Sequence, residues 1–103
     1  MTTAVTYDMQ KLGEAVGILA HGNERLQVRL KDAIVPLWTL ANGGGMKDKP
    51  KQPRLEAILD ALMDGKVENL SDDAARELAG EITSLHSAVW HDAVWALEDS
   101  VKR

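Results

Sequence analysis

Eleven positions spaced alternately by four and three residues run through the first forty residues: Val5, Met9, Leu12, Val16, Leu19, Asn23, Leu26, Leu30, Ala33, Leu37 and Leu40. Such a stripe demands helix, because only a helical period returns those positions to one side of the backbone. Asn23 is its single polar member. In the register that makes Met9 an a position, Asn23 also falls at a, where a buried Asn fixes the register of a parallel two-stranded coil. One expectation is therefore a long, kinked helix that pairs with a second copy.

The residues between the stripe positions favour a different outcome. His21-Gly22-Asn23-Glu24 reads as one helix ending at Gly22 and another beginning with Asn23 as its N-cap. Gly13 and Gly17 each weaken the first helix by up to ~1 kcal/mol relative to Ala. The flanking e and g positions, among them Ala15, Ala20, Ile34 and Pro36, lack the charges that guide coiled-coil pairing. Two helices folded into a bundle are expected, with a bend near Val35 where Pro36 removes a backbone donor. Ile34, Leu37, Trp38 and Ala41 continue the apolar face, which makes Trp38 a core residue in this reading.

Composition agrees with an all-α fold. The 103 residues contain no phenylalanine and one tyrosine, and 45% are hydrophobic against 27% charged. A core of Leu, Ile, Val, Ala and Met suits interlocking helices better than a sheet, which favours β-branched and aromatic residues. The length fits one domain spanning 1–103.

The segment 42–53, Asn-Gly-Gly-Gly-Met-Lys-Asp-Lys-Pro-Lys-Gln-Pro, is the one linker-like stretch, and a flexible, solvated loop is expected there. Its glycines do not form a phosphate loop, since no Gly-Lys-Ser/Thr follows. Pro53 suits a first helical position, and Leu55, Ile58, Leu59, Leu62 and Met63 follow at amphipathic spacing until Gly65. Leu70-Ser71-Asp72-Asp73 then reads as a staple residue, an N-cap and two carboxylates that favour the helix dipole. The expected architecture is a small bundle of about four helices near 6–21, 24–41, 54–64 and 72–101.

Along the last helix, Ala75, Leu78, Ile82, Leu85, Val89, Ala93 and Leu97 form the expected core side, broadened by His86, Trp90, Val94 and Val101. Trp95 lies near the opposite pole, with Ala88, His91, Asp99 and Lys102 as helical neighbours. An exposed indole is a favourable anchor for protein recognition. Trp95, His91, Asp99 and Lys102 are accordingly the expected partner-binding residues, and the partner is another protein or a second copy.

The remaining function classes are disfavoured by what the chain lacks. Without cysteine there are no disulfides, thiolate metal sites or Cys nucleophiles, in keeping with a cytoplasmic setting. The longest nearly apolar run, Ala33–Ala41, is far short of the ~20 residues a membrane span needs. Residues 1–52 carry seven Lys/Arg against five Asp/Glu, while 53–103 carry five against eleven. No basic helical face emerges, so nucleic acid is not the expected partner.

His86 and His91, five residues apart, diverge by about 140° around a helix and do not form a ligand pair. Neither metal nor cofactor is expected, and no Ser/His/Asp constellation or paired carboxylates can be assigned. The stretch Leu19-Ala20-His21-Gly22-Asn23-Glu24-Arg25-Leu26 resembles the histidine phosphotransfer bundles, which are near this size and expose one His on a helix. It departs from their His-x-Leu-Lys-Gly pattern at the Lys and the Gly. That resemblance implies, as the alternative to a non-enzymatic interaction or regulatory module, a signalling bundle using His21.

Overall fold

A computed structural model describes the backbone over residues 6–101 and the side chains over residues 6–95. Four helices occupy it: α1 (Tyr7–His21), α2 (Leu26–Asn42), α3 (Gln52–Leu62) and α4 (Asp72–Val101). Short 3₁₀ turns precede α3 at Lys49–Lys51 and follow it at Lys66–Asn69.

Each helix runs antiparallel to the next. Arg29 on the second turn of α2 reaches the Leu19 carbonyl near the end of α1, and Gly43, just after α2, lies against the Tyr7 ring. Arg54 at the start of α3 reaches Ser84, near the middle of α4. Gly13 of α1 faces His86 of α4, while Gln27 of α2 binds at residues 70–72, where α4 begins. The result is an up-down-up-down bundle.

The core follows the Leu stripe. Met9, Leu12, Leu19, Leu30, Ala33, Leu37 and Leu40 are buried, and Leu55, Ile58, Leu59, Leu62, Val67, Ala75, Ile82, Leu85 and Val89 complete it from the other elements. Val16 and Leu26 pack at its margin, and Val5 lies outside the described residues. Helix α2 continues through Pro36, whose ring is buried.

The junction between α1 and α2 departs from the expected capping. Asn23 is exposed, and α2 begins only at Leu26 with Arg25 as its N-cap and no side-chain cap bond. Asn23 is thus neither a buried coiled-coil position nor an N-cap. Gly22 ends α1 with φ −75°, not in the left-handed region. Its lack of a side chain serves a close approach instead, since a Cβ there would lie 2.5 Å from Cδ of Arg29. The Arg29 guanidinium donates to the carbonyls of Leu19 (2.7 Å), in the last turn of α1, and of Glu24 (2.9 Å), in the junction that follows.

Other punctuation behaves as its chemistry requires. Pro53 sits in the first turn of α3, and Gly65 (φ 77°), beyond the end of α3, adopts the left-handed conformation that favours glycine. Ser71 Oγ accepts from the Ala74 N–H at 3.1 Å, capping α4.

Candidate functional site

At 30 residues α4 is about 45 Å long, close to the longest dimension of the molecule, 51 Å, while α1 and α2 have only 15 and 17 residues. Met9, two residues into α1, and Val89 of α4 border the same cleft. Beyond that level α4 therefore passes the end of α1. Among its described side chains the last buried one is Val89, Ala93 is half-buried, and Val94 and Trp95 are exposed.

The exposed surface of this end is aromatic. Trp90 is 53% and Trp95 56% accessible. The two indoles point about 140° apart around the helix, so they belong to different faces. Trp90 shares its side with Val94, one turn on. Placing Trp90 and Val94 on the core side is thus corrected: no described element covers them.

Trp95 is paired with His91. Its Nε1–H donates to His91 Nε2 at 2.6 Å, and the rings meet edge to face at 5.6 Å. The bond fixes the indole along the helix and uses its polar group, so what Trp95 offers a neighbour is the flat apolar ring. Asp99 and Lys102, the other expected members of this patch, lie outside the described side chains.

Trp38 is corrected as well. It is 51% accessible on the outer side of α2, in line with Val35 (67%) and exposed Val28. With Tyr7 also exposed, none of the four aromatic side chains enters the core.

A cleft of about 370 Å³ lies where the start of α1, the 47–51 segment and α4 meet. Thr6, Asp8, Asp48, Lys51 and Asp92 of its lining are engaged within the chain. Buried Asp8 accepts from the Thr6 hydroxyl, the Met9 N–H (2.9 Å) and the Lys47 N–H (3.1 Å). Lys51 Nζ bridges Asp48 and Asp92, the latter at 2.6 Å. The hydrogen bond from Lys51 holds the Asp92 carboxyl below its usual range, and the bonds to Asp48 and Asp92 hold the lysine above its own. Met46 is fully buried beneath this segment, and its N–H donates to Gln52 Oε1. Chemically the cleft is a clasp that ties 46–51 to α1 and α4.

His21 sits on the last turn of α1, exposed, with Nδ1 2.9 Å from the Gly17 carbonyl. It makes no side-chain bond to an acid among the described residues, where no three His, Asp or Glu side chains converge as a metal site either. No described helix is long and apolar enough to cross a membrane. Compared with known protein families, with curated proteins and with solved structures, the chain matches none.

Proposed function

We propose that this chain is a non-enzymatic protein-interaction module, working in the cytoplasm, whose contact surface is the projecting end of α4 around Trp95 and His91. One observation carries the reading: every aromatic side chain of a protein with a well-filled aliphatic core stands at the surface. Indoles left in water forgo burial that would stabilise the fold, and Trp dominates the energetics of protein interfaces. The bond to His91 lowers the ordering cost of using Trp95 as an anchor.

The partner is a protein presenting an apolar recess, since the only polar group of the indole is satisfied within the chain. A photo-crosslinking amino acid at position 95 of the full chain, expressed in its native cells, tests this. Adducts of defined mass are expected from position 95 and not from exposed position 56 on α3, and Trp95→Ala should abolish co-purification of the same partner. Equal labelling from both positions, or none, overturns the reading.

A further inference from the structure

Two dipeptides of this chain place a short carboxyl or amide side chain directly before glycine: Asn42–Gly43 and Asp64–Gly65. In such a pair the next backbone nitrogen can attack the side-chain carbon, because glycine brings no side chain to crowd the approach. The fold treats the two pairs differently. Asn42 is the last residue of α2, where its Nδ2 donates to the Trp38 carbonyl at 3.0 Å. The Gly43 N–H donates to the carbonyls of Thr39 (2.9 Å) and Leu40 (3.1 Å), and a Cβ at Gly43 would lie 2.9 Å from Cε2 of the Tyr7 ring.

Asp64 and Gly65 stand between the end of α3 and the 3₁₀ turn at Lys66–Asn69, and both are exposed. Both have positive φ, 61° and 77°, and the Lys66 N–H closes the turn on the Met63 carbonyl at 3.2 Å. Positive φ at both central positions is the mark of a type I′ turn, for which Asp-Gly is a preferred pair. The Gly65 N–H donates to no backbone carbonyl among the described residues, and the space a Cβ there would enter is open.

We infer that Asp64–Gly65 is a site of spontaneous aspartyl isomerisation that the folded protein leaves open, while the same fold shields Asn42–Gly43. The Gly65 nitrogen attacks Asp64 Cγ and forms a C–N bond, and a carboxylate oxygen leaves as water with the nitrogen's proton and one from solvent. The resulting five-membered imide takes up water at either carbonyl and returns that proton. Cleavage at Cγ restores aspartate; cleavage at the main-chain carbonyl leaves the backbone running through Cγ, as isoaspartate. The overall change is an isomerisation without change of mass or oxidation state. At Asn42 the same path expels ammonia, a readier leaving group, but only after the bonds that end α2 have opened. Isoaspartate at 64 inserts a methylene into the main chain between Leu62 and Val67, both buried, so the product loosens the link from α3 to the 3₁₀ turn. The inference is independent of the contact surface on α4.

The test ages the full chain at neutral pH and body temperature, folded in buffer and unfolded in guanidinium chloride. Trypsin cuts after Lys31 and Lys47 and after Arg54 and Lys66, so positions 42 and 64 fall in separate peptides, in which electron-transfer fragmentation locates isoaspartate. Folding should slow its formation at 42 by at least about tenfold and at 64 by less than about threefold. Asp64→Asn keeps a residue that tolerates the left-handed conformation and supplies ammonia as leaving group. In the folded state it should react at least about tenfold faster than the parent, read as a mass gain of about 1 Da. Folding that slows 64 as strongly as 42, an absence of isoaspartate at 64 in the folded chain, or a folded Asp64→Asn chain that gains no mass each overturns the inference.

Discussion

Over residues 72–89 helix α4 gives its apolar side to the bundle; over residues 90–95 the same unbroken helix shows two indoles and a valine to water. Composition does not separate these stretches, since both alternate apolar and charged residues at helical spacing. What separates them among the described residues is the reach of the neighbours: α1 starts at Tyr7, and the cleft that its first turn shares with α4 is lined by Val89, Asp92 and Ala93. Burial is a property of the partner helix as much as of the residue. The first stretch is therefore a stability element, and the second is available for contact outside the chain.

The sharpest way to break this division is to truncate one side chain in each stretch. Leu85 is fully buried, and Leu85→Ala should lower unfolding free energy by about 2–5 kcal/mol through lost transfer energy and the cavity left behind. Trp90→Ala removes a larger side chain but should change stability by no more than about 0.5 kcal/mol at monomeric concentrations. Urea unfolding of both variants decides the matter, and comparable losses would erase the distinction.

A second test addresses how the packed stretch is anchored. Gln27 is buried, and its amide donates to the Leu70 carbonyl (2.9 Å) and to Asp72 (3.0 Å), joining the start of α2 to the start of α4. Gln27→Ala leaves those acceptors without their donor and should cost about 1–3 kcal/mol. Ser71→Ala removes only the cap bond to Ala74, for about 1 kcal/mol. Hydrogen exchange in the first turns of α4 should speed up in both variants, while amides beyond Ala93 should already exchange fast in the parent. Protected amides beyond Ala93 in the monomer would contradict the division.

Much of this was legible in the chain. The four-three stripe located seven of the eleven buried residues of α1 and α2 and missed Asp8, Ala15, Gln27 and Pro36, while Ser71 announced α4 and Pro53 the first turn of α3, because caps and periodicity are local properties. Trp38 and Trp90 were misplaced for one shared reason. Each lies beside true core positions on a helix whose apolar residues span more than half its circumference, and periodicity alone does not say how much of that arc a neighbour covers. The partner residues of Asp8, Gln27 and Lys51 lie 39, 43 to 45, and 41 residues away in sequence, and no local pattern encodes such pairings. Trp95, set opposite the core by its position in the register, was the one surface indole that the helical pattern identified.

The smallest expected effect lies at the boundary itself, where Lys51 holds Asp92 between the packed and projecting stretches. Asp92 is depressed below its ordinary 3.8, so its contribution is present above that value and is lost as pH falls through the lower folded value. Lys51 is raised above its ordinary 10.5, so its contribution is present below 10.5 and disappears as pH rises through the higher folded value. Stability from this pair is consequently flat between the two and declines on both sides. Glu68 and Lys31 form a second exposed pair with shifts of the same sign, so their contribution must be held constant. Lys51→Met should reduce the acid-side fall in the urea midpoint, and Lys31→Met, with the clasp intact, should leave the Lys51 portion in place. Asp92 is solvent-exposed and Lys51 partly covered, so the change should be modest and should shrink further in 1 M salt, where screening reaches within about 3 Å. If the acid limb of Lys51→Met matched that of the parent, Asp92 would not be tethered, and the packed stretch of α4 would end before the clasp, at Val89.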